Sequence, residues 1–156
     1  MSDRTDLLFQ KQKARNQLAR DQATRDRDAW EAILADLFKE QQDFVTDPDR
    51  RKSLITPRRA GKTHTAISYA LICALQNPGC RIPIITLTLR SAKRLYWEPF
   101  AYFSRKYALK LEYKKADNVI QLPNGSQIFL NGAETLKDIE KLRGGAYKLV
   151  LIDECK

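Results

Sequence analysis

An α/β domain with a mainly parallel sheet is what this sequence predicts, and three stretches predict it. The first is the apolar run Ser53-Leu54-Ile55, then Thr56-Pro57-Arg58-Arg59-Ala60-Gly61-Lys62-Thr63, then the helical pattern Ala66 to Ile72. Strand, loop and helix is the context that the phosphate-binding pattern G-x-x-x-x-G-K-[ST] needs, here with Thr56 in place of the first glycine. The second is Leu149-Val150-Leu151-Ile152, a continuous apolar run of the kind buried on both faces of a parallel sheet, followed at once by Asp153-Glu154. The third is Pro123-Asn124-Gly125-Ser126 between two alternating runs, the strongest short signal for a β-hairpin.

The chemistry of the first two stretches is complementary. Loop N–H groups and the positive end of the following helix suit an anionic phosphate. Gly61 permits close backbone approach, Lys62 reaches the outer phosphates, and the Thr63 hydroxyl suits Mg²⁺. The Asp153-Glu154 pair reads as a Walker B end: Asp153 for the metal, Glu154 to polarise water. Together they predict a P-loop NTPase three-layer sandwich with an added β-hairpin.

The elements follow in order. Residues 1–28 mix both signs of charge, as in Arg25-Asp26-Arg27-Asp28, and form a polar lead that is helical or disordered. From residue 29 the apolar periodicity begins. Trp30, Ile33, Leu34, Leu37 and Phe38 fall on one helical face, with Asp28 as a cap; Phe44-Val45 continues the packing. Thr46-Asp47-Pro48-Asp49 ends it, and the cluster Arg50-Arg51-Lys52 suits either DNA contact or a solvated strand edge. After the loop helix, Asn77-Pro78-Gly79 stops the chain, and Arg81 to Thr88 reads as a strand. Ser91 is a candidate cap for a helix through Tyr96, Trp97, Phe100 and Phe103 to Tyr107, an aromatic row read as core rather than as a base-stacking platform. Strands at 111–113, 119–122 and 127–130 and a short helix around Leu136–Leu142 complete the domain.

With 156 residues the chain is long enough for one sizeable core. Its net charge of +9 points to a polyanionic partner. Cys73, Cys80 and Cys155 form no C-x-x-C pair, and His64 is the only histidine, so a metal–thiolate site is not expected and reduced thiols are. No apolar run is long enough to span a bilayer, and the first residues are too polar for a signal peptide.

The loop resembles the Walker A of the large terminase subunit of tailed bacteriophages. Arg58-Arg59 before Ala60-Gly61-Lys62-Thr63 carries that resemblance most specifically. Leu142-Arg143-Gly144-Gly145-Ala146-Tyr147 is similar to the family's Arg-Gly stretch before Walker B, and Gln41 or Gln42 with Phe44 is similar to its adenine-contacting element. The resemblance runs from about residue 38 to Lys156. It implies ATP and Mg²⁺ as cofactors and packaging of double-stranded DNA into procapsids in the host cytoplasm. It also implies a terminase small subunit, a portal protein and further copies in a ring as partners. Arg58 or Arg59 would sense the γ-phosphate in cis, and Arg143, in its glycine-flanked loop, is a candidate arginine finger toward a neighbouring subunit. On this resemblance a further strand, between those at 53–55 and 149–152, follows Walker B in sequence, so the domain is expected to be incomplete at its C-terminal side. Two other readings stand beside it. One is another nucleic-acid ATPase such as a helicase, since Asp153-Glu154-Cys155 looks like a D-E-x-x box. The other is an inactive nucleotide-binding fragment.

Overall fold

The computed structural model describes residues 2–57 and 59–153, apart from the side chains of residues 2–4; Arg58, Glu154 and Cys155 lie outside them. Its elements are α1 (Ser2–Ala35), α2 (Lys39–Thr46), α3 (Lys62–Gln76), β1 (Arg81–Thr86), α4 (Leu89–Lys106), β2 (Glu112–Lys114), β3 (Val119–Gln121), β4 (Gln127–Gly132), α5 (Leu136–Glu140) and β5 (Leu151–Ile152). The sheet has the order β2-β3-β4-β1-β5. Its centre is parallel, β1 pairing with both β4 and β5, and β2-β3-β4 run antiparallel. The expected α/β architecture with a parallel centre and a hairpin is thus present.

Strand alternation decides where the core sits. Ile82 and Ile84 of β1 stand beside Ile128 and Leu130 of β4, on one face because side chains alternate with period two. All four are fully buried in one cluster with Ile67 and Leu71 of α3 and Tyr96, Phe100 and Phe103 of α4. The opposite face carries Ile85, Phe129 and Ile152, which are half-buried or exposed. The aromatic row is therefore core, as its helical spacing suggests.

Hairpin and helices are tied together by polar bonds. Gly125 sits at φ +85°, the left-handed conformation the turn requires, and its N–H donates to the Leu122 carbonyl at 3.0 Å. The Asn124 amide donates to Asp26 of α1 at 2.9 Å and to the Ala74 carbonyl of α3 at 3.0 Å. Fully buried Ser126 donates to the same carbonyl at 2.9 Å.

Several elements differ from the sequence expectation. Helix α1 runs unbroken for 34 residues, with no start at Asp28. Good helix formers and amide pairs four residues apart, Gln12–Asn16, Gln17–Asp21 and Gln22–Asp26, carry its polar part, and Trp30, Ile33 and Leu34 pack its last turns on the core. Thr88, not Ser91, caps α4: its hydroxyl accepts from the Ser91 N–H at 2.9 Å. Lys52 turns inward rather than lying on a solvated strand edge. Its ammonium donates to the Phe44 carbonyl at 2.9 Å and lies 4.8 Å from the Tyr69 ring centre, pinning α2 to α3. Ser53–Ile55 forms no strand, and Ile55 is 93% exposed. Among the described residues no neighbouring strand offers it a hydrogen-bond ladder, and an isolated extended run has nothing to pair with.

The ends of α1 and α4 meet in a small polar cluster. Asp36 accepts from Lys106 at 2.8 Å and from Tyr107 at 2.9 Å. These two bonds, Lys106 first, hold the Asp36 carboxyl below its ordinary pKa. A depressed carboxylate stabilises the fold fully above its unfolded pKa, and loses that contribution as pH falls through the folded value. Thermal melting followed in an acid series should therefore fall less steeply for Asp36→Asn than for wild type below about pH 4. Equal slopes would remove this cluster from the account. Burial pushes the Cys73 thiol up to about 11, so it stays an unreactive thiol. Among the described residues no helix is long and apolar enough to cross a membrane.

Candidate nucleotide site

The site is built at the N-terminus of α3. Gly61 is its N-cap, in the left-handed region at φ +79°, and supplies no side-chain cap. No acidic residue occupies the first turn. The first-turn N–H groups therefore have no side-chain cap, at the positive end of a 15-residue helix. Behind the cap, the Gly61 carbonyl accepts from the Thr65 N–H at 2.8 Å and from its hydroxyl at 3.0 Å. Arg59 is also left-handed, at φ +65°, which costs a non-glycine residue about 1–2 kcal/mol. A short turn, Ala60 N–H to Pro57 carbonyl at 3.4 Å, closes the loop.

Lys62 curls back over this turn, its ammonium donating to the Thr56 carbonyl at 3.2 Å. The contact is exposed, so a phosphate oxygen competes for it easily. A Cβ on Gly61 would stand 2.9 Å from the Gln41 amide nitrogen. Its left-handed φ favours glycine at this position, and a Cβ there would also have to displace the Gln41 amide. These features suit an anionic phosphate.

The two candidate glutamines separate clearly. Buried Gln41 lies against the loop, and its amide oxygen accepts from the Phe38 N–H at 3.1 Å. Gln42 instead donates to the carbonyls of Leu34 at 3.1 Å and Leu37 at 2.9 Å, closing the end of α1. Thr63 is half-buried and borders a groove between α3 and α4 that includes Ile67, Phe103, Glu98 and Arg105. Next to it, the His64 ring lies 4.9 Å from that of Phe103. Burial lowers the pKa of His64, helped by the Lys106 ammonium, so the imidazole is neutral at pH 7. This fits a structural role for His64.

Asp153 follows β5, its N–H donating to the Ile85 carbonyl at 2.9 Å, at the C-terminal end of the parallel strands. Its carboxylate accepts from the Tyr96 hydroxyl of α4 at 2.6 Å. The sequence reading placed Tyr96 in the core and missed this bond. A tyrosine inside a fully buried aromatic row was the available signal, because its hydroxyl needs a partner there. Arg143 stands exposed beyond α5, paired with Glu140 at 2.9 Å. Gly144 beside it is left-handed at φ +78°, the turn the sequence suggests. Thr56, Pro57, Arg59, Ala60, Gly61, Lys62 and Gln41 thus gather at one loop, Asp153 is held by α4, and Arg143 sits in its own ion pair. Arg58 and Glu154 lie outside the described residues.

Among the described residues no three His, Cys, Asp or Glu side chains group as a metal cage. A Mg²⁺ held by one hydroxyl, one carboxylate and substrate phosphates needs no such cage, and Thr63 and Asp153 are donors of that kind.

Comparison with known proteins bears on the fold. Two solved structures of the large terminase from the thermophilic bacteriophage D6E superpose with TM-scores of 0.59 and 0.60, at 19% and 18% identity. They cover 74% and 76% of this chain, and one of them is a complex with ADP. The chain spans 32% of the length of those terminases. None of the curated proteins matches it. The model of the family described as "Terminase large subunit, T4likevirus-type, N-terminal" matches residues 54–156. Matched so, the chain belongs to the terminase large-subunit family, in its N-terminal part.

Proposed function

We propose that this chain is the ATP-binding and ATP-hydrolysing part of a motor subunit that drives double-stranded viral DNA into procapsids. The observation that carries the proposal is left-handed Gly61 at the uncapped start of α3, with Lys62 folded over the loop mouth. Residues 29–156 form the ATPase domain in this reading, and 1–28 are a polar lead whose Asp26 is tied to the hairpin.

Lys62 neutralises the outer phosphate oxygens once it leaves the Thr56 carbonyl. The N–H groups of the loop and of α3 orient the phosphates, with Gln41 on the adenine side of the loop. Arg58 or Arg59 senses the γ-phosphate. Thr63 and Asp153 would hold Mg²⁺, which would supply positive charge to offset that of the phosphates. Glu154 orients the attacking water. Arg143 reaches a neighbouring subunit's site in a ring of copies. Its exposed pair with Glu140 is worth at most about 1 kcal/mol, so the guanidinium leaves it readily for a phosphate. The D6E complex with ADP supports the nucleotide half of this reading.

Exposed Arg50, Arg51, Arg90, Lys93 and Arg94 are cations of the kind that contact the DNA backbone without reading bases. The small subunit and portal protein are partners by family, and the host cytoplasm is the place of action.

The experiment is ATP turnover by the full-length subunit. Double-stranded DNA of any sequence should raise it, and the effect should fade steeply between low and moderate salt. Arg143→Ala subunits mixed with Glu154→Ala subunits should recover part of the activity each lacks alone. DNA stimulation that depends on sequence, or the absence of rescue at every mixing ratio with both variants assembled, would contradict the corresponding half.

A further inference from the structure

We propose that Tyr96 is a positioning residue for the Asp153 carboxylate, and through it for the divalent cation at the nucleotide site. The inference rests on reading Asp153 as a metal ligand.

Tyr96 is fully buried in the aromatic row of α4, its ring 6.5 Å from that of Phe100. A phenylalanine would fill this space equally well, so packing alone gives no reason for a hydroxyl. That hydroxyl donates to Oδ2 of Asp153 at 2.6 Å, the length of a charge-assisted O–H···O⁻ bond. Asp153 is fixed at its other end by the Ile85 carbonyl, so backbone and carboxylate are both tethered. A carboxylate has about four acceptor positions, so this bond orients the group without exhausting it.

Helix α4 also reaches the other candidate ligand. Seven residues beyond Tyr96, about 10 Å along the axis, Phe103 packs on His64, the residue after Thr63. Helix α4 thus touches both Asp153 and the start of α3, on the two sides of Pro99. Residues that orient a metal ligand typically change metal affinity by about 10–100-fold when removed.

The test is Tyr96→Phe, which keeps the ring and removes the hydroxyl. ADP binding by calorimetry, in EDTA and across a Mg²⁺ series, separates phosphate binding from metal binding. The expected result is ADP affinity within about twofold of wild type in EDTA, and Mg²⁺ affinity of the ADP complex lower by about 10-fold or more. Unchanged Mg²⁺ affinity in a cooperatively folded variant would overturn the proposal. Asp153→Asn distinguishes the two layers. If it weakens Mg²⁺ while Tyr96→Phe does not, the Tyr96 role alone fails. If neither changes Mg²⁺ affinity, the reading of Asp153 fails as well.

Should Tyr96→Phe not fold, wild-type protein with ¹³C-labelled tyrosine rings answers instead. Mg²⁺ added to the ADP complex should move the Tyr96 ring resonance, and Asp153→Asn should abolish the movement. A resonance indifferent to Mg²⁺ would overturn the proposal.

Discussion

Phe100→Ala should destabilise the fold by about 3–5 kcal/mol, the cost of emptying a large aromatic site in a core that relaxes only partly. Phe100 is fully buried between Tyr96 and Phe103, in the same cluster as Ile84 of β1 and Leu130 of β4. It therefore joins α4 to the two central strands. A small domain is held by about 5–15 kcal/mol, so this loss leaves little margin. Urea unfolding followed by circular dichroism should show the midpoint falling with an unchanged slope. A midpoint shift worth less than about 1 kcal/mol would mean that α4 does not pack on the sheet as described.

What the sequence revealed was what depends on neighbours in the chain. The Asn124-Gly125 turn was legible because a left-handed glycine there serves a two-strand hairpin whatever surrounds it. The aromatic row was legible because its spacing puts Tyr96, Phe100 and Phe103 on one face. The start of α3 was legible because Gly61-Lys62-Thr63 opens a helical pattern, and Gly61 does take up the left-handed conformation there.

What depends on distant partners stayed hidden. Leu54 and Ile55 have the composition of a strand, yet a strand exists only beside another. The different surroundings of Gln41, whose amide faces the loop, and Gln42, whose amide faces the carbonyls ending α1, depend on distant groups as well. The bond from Tyr96 to Asp153 joins residues 57 apart in sequence, and no local pattern announces it. Residues 1–28 read as helical or disordered because their helix is held locally, by propensity and amide pairs. Its apolar face begins only near Trp30, so nothing in the pattern marked that one helix runs through Asp28.

Lys62→Ala should lose ADP and ATP affinity by about 10–150-fold, since a charge-assisted contact to phosphate contributes about 1.5–3 kcal/mol. The lysine is exposed and bonded only weakly to the Thr56 carbonyl, so its removal should leave the melting temperature near that of wild type. Loss of binding would then report the contact and not the fold. Titration calorimetry of ATP into wild type and Lys62→Ala, both checked for cooperative melting, tests the central claim that this loop is the nucleotide site. The account predicts a dissociation constant raised by at least tenfold in the variant. Equal affinities in two folded proteins would contradict it and place the nucleotide elsewhere.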